Sequence, residues 1–215
     1  MAFYFPEGTL IQFSTTLAAA KTVSGITNAN PAVASAIGHG YSDNDEVLLE
    51  TGWSDINETV FRADQLTADS FGIIDLDTTN TSFFPAGSSA GTTKKISNWQ
   101  TVPQAMDINT TGGDPRFTTI QLLAARNDIQ VATGFNPTAV NFTLAHDPAN
   151  AIIKEMLRIS RTLAKVAIKV LIGGSAPMYG YGFLNVSEMP TLARNQVNQM
   201  RGVITLGGRP VLYGS

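Results

Sequence analysis

Apolar residues alternate with polar or small ones over much of this chain. Val140, Phe142 and Leu144 alternate with Ala139, Asn141 and Thr143. Val166, Ile168, Val170 and Ile172 alternate with Ala167, Lys169 and Leu171, and Tyr179, Tyr181 and Phe183 with Gly180 and Gly182. Period-two alternation places each apolar set on one face of a sheet. Shorter strand-like runs occur at Leu10–Ser14, Lys94–Thr101, Phe117–Leu123, Ile129–Thr133 and Val197–Leu206. Turn chemistry separates them at Gly112-Gly113-Asp114-Pro115, Gly134-Phe135-Asn136-Pro137 and Gly173-Gly174-Ser175-Ala176-Pro177. The stretch Thr110–Arg116 reads as a loop without apolar anchors.

One segment breaks the period. Ala149, Ile152, Ile153, Met156 and Leu157 follow the spacing of one buried helix face, with Asn150, Lys154, Glu155 and Arg158 on the wet face. Asp147 suits the N-cap and Pro148 the first turn. A lone amphipathic helix among strands must bury its stripe on a sheet. The expected fold is therefore mainly β, an antiparallel β-sandwich or barrel with one packed α-helix.

Residues 24–91 read differently. They open on Gly25-Ile26-Thr27-Asn28-Ala29-Asn30-Pro31 and close in the Gly/Ser-rich tract Pro85–Gly91. Between lie strand-like runs at Val47–Leu49, Thr59–Ala63 and Ser70–Leu76. About 65 residues is near the lower size for a unit that folds without staples. This predicts a small all-β inserted domain at 24–91, with the main β domain formed by 1–23 and 92–215. The strand patterns on either side, Leu10–Ser14 and Lys94–Thr101, suggest that it interrupts one hairpin of the main sheet.

Composition narrows the function classes. Charged residues are 14% of the chain, against about 25% in typical domains, while hydrophobic residues are 43%. A chain that keeps so little charge fits a surface covered by other subunits. The net charge of −3 argues against a domain that grips DNA. There is no cysteine, so neither disulfides nor thiolate metal sites are available. No apolar run is long enough to cross a membrane as a helix. Met1-Ala2-Phe3-Tyr4-Phe5-Pro6-Glu7 lacks the pattern of a signal peptide, so synthesis and folding in a reducing cytoplasm are expected.

Four motifs invite chemistry and are better read as structure. Gly87-Ser88-Ser89-Ala90-Gly91 matches a nucleophile pattern, but no helix follows Ser89 and the context is a linker. Asp43, Asp45 and Glu46 lack the ligand spacing of a calcium loop and read as a solvated turn. His39, between Gly38 and Gly40, reads as a turn residue, and His146 as support for the helix start; neither has a partner at zinc spacing. Gly180-Tyr181-Gly182 is half of a dinucleotide fingerprint and reads better as a strand packed closely on one face. No catalytic, cofactor-binding or metal-binding residue is expected.

The C-terminal stretch carries a resemblance. Gly180-Tyr181-Gly182-Phe183-Leu184-Asn185-Val186-Ser187-Glu188-Met189-Pro190 runs on through Arg194-Asn195-Gln196-Val197-Asn198 to Arg201-Gly202-Val203-Ile204-Thr205-Leu206-Gly207-Gly208-Arg209-Pro210-Val211. With the preceding Asp147–Ile172, it resembles the closing strands of tail tube proteins of phages with long non-contractile, siphovirus-type tails. Residues 25–91 resemble small β domains of phage tail and virion proteins, through Pro31, His39-Gly40, Asp43–Asp45, Gly52, Asn57 and Asp69-Ser70-Phe71. Asn44 stands where a Gly is common, and Asn also tolerates a left-handed backbone.

The resemblance implies a structural virion protein of the phage tail, assembled in the host bacterial cytoplasm. Six subunits would form a ring and rings would stack into a tube. Sheets of neighbouring subunits would join around the lumen and close edges that a monomer leaves open. Partners would be the chain itself, a tape measure protein, and tail tip and tail terminator proteins. Genome DNA would pass through the lumen without specific binding, and no membrane is involved. The composition shift at both ends of 24–91 and its own strand patterns suggest a module on the exterior of such a tube, dispensable for assembly, since six copies inside would fill the passage. Two other classes compete: a capsid decoration, receptor-binding or baseplate structural protein, and a hydrolase using Ser89.

Overall fold

The computed structural model describes residues 8–123, 126–172 and 176–214. Met1–Glu7, read above for a signal peptide, and Gly173–Ser175 of one expected turn lie outside them. The strands run in chain order as β1 (Leu10–Ser14), β2 (Thr16–Leu17), β3 (Lys21–Val23), β4 (Gly25–Ile26), β5 (Ala32–Ser35) and β6 (Glu46–Thr51). They continue as β7 (Thr59–Thr67), β8 (Ser70–Ile73), β9 (Gly91–Ser97), β10 (Gln100–Thr101), β11 (Ala105–Thr111) and β12 (Pro115–Ile120). The remainder are β13 (Ile129–Phe135), β14 (Ala139–Ala145), helix α1 (Ala151–Thr162), β15 (Lys165–Ile172), β16 (Ala176–Val186), β17 (Gln199–Leu206) and β18 (Val211–Leu212). The fold is mainly β, with antiparallel sheets and, among the described residues, one helix.

The larger sheet has the order β10-β1-β15-β16-β17-β14-β11, with β18 added beside β16. The alternating sets of β14 and β15 point into one core, where Val140, Phe142, Leu144, Val166, Ile168 and Val170 meet Ile11, Phe13, Leu184 and Ile204. The sheet curls, so that Ile108 and Thr110 of β11 line one cleft with Val170, Ile172 and Met178.

Helix α1 closes this core with Ile153, Met156 and Ile159 buried. Its cap differs from the expectation. Asn150 is the N-cap, its side chain accepting the Ile152 N–H at 2.9 Å. Asp147 instead organises the preceding turn, its Oδ1 accepting the Ala149 N–H at 3.0 Å and its carbonyl the Asn150 N–H at 3.2 Å. Ala149 is therefore outside the helix and exposed, and Ile159 completes the stripe. Leu163 ends the helix in the left-handed conformation, its N–H reaching the Ile159 and Ser160 carbonyls. Ile153 is 1% exposed. Ile153→Ala is expected to cost about 2–5 kcal/mol in a urea melt; a loss below about half a kcal/mol would show that the stripe does not hold the core.

The smaller sheet has the order β2-β9-β6-β7-β8-β5-β4, with β3 also paired to β9. Ser24 alone separates β3 from β4, and its N–H donates to the Ser35 carbonyl at 2.9 Å. The segment 21–26 therefore pairs with β9 at its start and with β5 at its end. This closes the sheet into a small barrel, which leaves few open edges. Val23, Ala34, Val47, Leu49, Trp53, Phe61, Phe71 and Ile73 fill it. The barrel extends past 24–91 at both ends, taking in β2, β3 and all of β9. The run Lys94–Thr101 is not one strand: Asn98 adopts φ +55° and turns the chain, so β9 stays in the barrel and β10 returns to pair with β1.

Candidate assembly surfaces

The side chains singled out for chemistry are engaged in the scaffold. Ser89 is buried, and its Oγ accepts the Ile26 N–H at 2.8 Å and donates to the Ile26 carbonyl at 3.3 Å. It pegs β4 in place at the closure of the barrel. His39 is buried against the Tyr41 and Phe71 rings. Its Nδ1 accepts the Tyr41 N–H at 3.0 Å, so Nε2 carries the hydrogen and donates to the Thr67 carbonyl at 2.9 Å. Both ring nitrogens thus serve a turn flanked by Gly38 and Gly40 at φ +59° and +68°. His146 packs on β17, with Nδ1 2.9 Å from the Met200 sulfur, rather than on the helix start.

The acidic turn likewise disperses. Asp43 accepts the Gln65 N–H, Asp45 accepts the Ser42 N–H and the Lys95 ammonium, and Glu46 reaches across to the larger sheet. Asn44 takes φ +64°, the left-handed backbone that an Asn at this turn suggested. Among the described residues, no three His, Asp or Glu side chains converge as metal ligands.

Among the described residues, one separate hairpin and two features of the larger sheet face outward. The first is the hairpin β12–β13, a two-stranded sheet of its own. Gly112 and Gly113, both near φ +80°, turn β11 into it; the loop there is Gly112–Asp114, with the strands taking up Thr110, Thr111, Pro115 and Arg116. Thr118 pairs with Val131 and Ile120 with Ile129, so these four share one face. Ile120, Ile129 and Val131 are nonetheless 43–46% exposed and Phe117 is 53% exposed, while the Arg209 guanidinium lies over the Phe135 ring at 4.4 Å. The second is the edge of β11, which pairs with β14 on one side and ends the sheet. The third is the outer face of β11, β14 and β17. Its registered rows read Asp107–Thr143–Arg201, Asn109–Asn141–Val203 and Thr111–Ala139–Thr205, polar with one charge of each sign.

A family model described as "Phage tail tube protein, TTP" matches residues 51–215. The chain belongs to the phage tail tube protein family. No curated protein matches it. The family span is wider than the resemblance at 147–211, and it begins inside the barrel, at the end of β6. The tail tube role is structural, and it implies a virion tail component that associates with itself and with other tail parts.

This tail tube protein has a further internal surface that the sequence did not disclose. The odd positions of β15 and β16 face the barrel. Ala167, Tyr179 and Tyr213 pack on Leu48, Val60 and Ile96 as a third apolar cluster. Residues 24–91 hold ten acidic residues and one basic residue, and the facing sheet offers lysines. Lys169 Nζ donates to Glu46 Oε1 at 2.7 Å, and Lys165 pairs with Glu58. Tyr179 donates to the same Glu46 oxygen at 2.7 Å, and Trp99 Nε1 donates to Glu46 Oε2. Tyr213 Oη accepts the Arg62 N–H at 2.9 Å and donates to the Ile74 carbonyl at 3.3 Å.

Burial pushes the Tyr213 phenol up to about 12, against the opposing pull of Arg62. Burial, with the hydrogen bond to Glu46, raises Tyr179 as well. The folded state therefore favours both neutral phenols. That contribution is complete below the unfolded value near 10 and is lost as pH rises through the folded value. Urea midpoints are expected to hold steady to about pH 9 and to fall between about pH 10 and 12. Tyr213→Phe should flatten the fall, and an unchanged slope in that variant would refute this origin.

Proposed function

We propose that this chain is the repeating subunit of the tube of a long, non-contractile phage tail, with six copies closing a ring and rings stacking. The observation that carries the proposal is the hairpin β12–β13, whose Ile120, Ile129 and Val131 belong to no apolar core among the described residues. A stable hairpin with an apolar face needs a covering surface. A second copy supplies one in a family that associates with itself. The open edge of β11 supports the same reading, because unpaired strand edges invite pairing with another chain.

The outer face of β11, β14 and β17 is the surface we assign to the lumen. Its rows are near neutral, with Arg201 as their one cation and Asp107 in the same row, so phosphates find little to bind, since affinity for DNA comes mainly from Lys and Arg. Genome DNA slides past it, and a tape measure protein occupies it during assembly. The barrel packs on β15 and β16, on the face that the pairs Phe183–Thr205 and Asn185–Val203 continue into those rows, and we place it on the tube exterior because six copies of it would fill the passage that DNA needs. Tail tip and tail terminator proteins cap the two ends.

Micrographs of the purified protein at rising concentration test the reading. Six-fold rings and tubes are expected. A strict monomer, or a trimer that never forms tubes, would overturn it and revive a decoration or receptor-binding role.

A further inference from the structure

The seam between barrel and sheet is built unlike a tether. Domains joined by a small polar contact move relative to one another by default. Here Glu46 receives three donors at the seam: the Lys169 ammonium and the Tyr179 hydroxyl from the facing sheet, and the Trp99 indole from the connection between β9 and β10. Lys169 is itself held 5.4 Å above the Trp99 ring and 5.8 Å above the Tyr179 ring. Such a group is costly to leave unpaired and has one good geometry. The C-terminal segment adds a clasp. Tyr213 spans the Arg62 amide and the Ile74 carbonyl, which lie on and beside different barrel strands, while the Arg62 guanidinium covers the Tyr213 ring at 5.3 Å. Gly208 passes so close that a Cβ there would lie 2.7 Å from Thr59 Oγ1 and 3.0 Å from the Asn57 carbonyl.

We propose that the barrel is a fixed buttress of the subunit, held at one angle with Glu46 as its positioning residue. The outer face of β15 and β16 is then presented to assembly only with the barrel on it. Tyr179 and Tyr213 are 3% and 2% exposed, and stripping off the barrel would bare both rings and leave Lys165 and Lys169 without counter-charges. This reverses the dispensability that the composition of residues 24–91 suggested. The consequence for tubes rests on the tail tube reading; the fixed angle does not.

The absence of cysteine allows a clean test with spin labels on two introduced cysteines in the full chain. Ile37→Cys lies on the barrel and Lys154→Cys on the helix, both exposed. A single narrow distance distribution is expected from the doubly labelled subunit. Adding Glu46→Ala should broaden it about twofold or more, because the angle loses its anchor. If Glu46→Ala is insoluble, Tyr213→Phe tests the clasp in the same way. A broad distribution with the seam intact, or a narrow one unmoved by either variant, would overturn the proposal. In tubes of the Glu46 variant the barrel density should blur while the inner wall stays sharp, and equally sharp barrels would also count against it. Failure of the unmutated protein to form tubes would sink the tail tube reading and leave the distance measurement standing.

Discussion

A subunit carrying both Ile120→Asp and Ile129→Asp is expected to fold normally and to form no tubes. The two side chains are cross-strand partners on one face of the hairpin β12–β13. They are 44% and 46% exposed and belong to none of the three apolar clusters of the subunit. Their loss removes no contact of the three clusters, and the opposed carboxylates cost the hairpin roughly 0.2–1 kcal/mol, so the melt should move by no more than about 1 kcal/mol. Burial against a second copy is another matter. Covering a partly exposed isoleucine contributes roughly 1–2 kcal/mol at 25 cal/mol per Å². The aspartates would add the cost of desolvating two carboxylates with no cation opposite. Each 1.4 kcal/mol is about tenfold in an association constant. A loss of several kcal/mol at every contact would raise the critical concentration at least about a hundredfold. Sedimentation at matched concentration, beside a urea melt, measures both halves. Tubes that pellet as well as the parent would show that this face stays wet in the assembly.

The hairpin also shows where reading residues in order reaches its limit. Phe117–Ile120 and Ile129–Thr133 are legible as strands, since propensity and alternation are local, although β12 ends at Ile120 and Gln121–Leu123 lie beyond it. Nothing local says that their apolar face has no sheet beneath it in the subunit. The same holds for β16. Alternation correctly puts Tyr179 and Tyr181 on one face and Gly180 and Gly182 on the other. It cannot say that the tyrosines meet the barrel and the glycines the main core, because both faces of β15 and β16 are covered. Ala167, placed on the face away from the core, is buried for that reason. The helix stripe was legible in Ile153 and Met156, while its start was not. Asp147 and Asn150 are both good caps three residues apart, and only the turn between them decides. The barrel was visible as a change of composition, but its edges were not. Closure depends on Lys21–Val23 and Gly91–Ser97 finding each other, a pairing across some 70 residues. The surfaces of assembly were the least legible, since a partner's contacts leave their trace only as apolar or edge groups that the subunit fails to cover.

The largest effect on the subunit itself is expected from Gly182→Ala. Gly182 lies on β16 opposite Leu206 of β17, on the face that turns towards the main core. A Cβ built there would lie 2.1 Å from the Thr205 carbonyl oxygen and 2.7 Å from the Leu206 Cα. These are backbone atoms of a central strand, so no rotamer change can make room. β17 would have to move, and it is paired on its other side with β14 along seven residues. The shift would disturb Leu206 and Ile204 in the core and the adjoining pairs Phe183–Thr205 and Leu184–Ile204. Overpacking in a core costs about 1–3 kcal/mol when side chains can yield and more when they cannot. A cost above about 3 kcal/mol is therefore expected, a large share of the roughly 5–15 kcal/mol that holds an ordinary domain folded. Gly180 offers a graded comparison. A Cβ there meets the Leu206 methyls at 2.7 and 3.0 Å, which are flexible side-chain ends, so Gly180→Ala should cost less. Gly214, with nothing within 4 Å, should tolerate alanine almost freely. Urea midpoints in the order Gly214→Ala, Gly180→Ala, Gly182→Ala, from highest to lowest, are the expected result. A Gly182→Ala midpoint within experimental error of the parent would mean that β16 and β17 do not approach as closely as this, and the reading of Gly180-Tyr181-Gly182 as a tightly packed strand would fall with it.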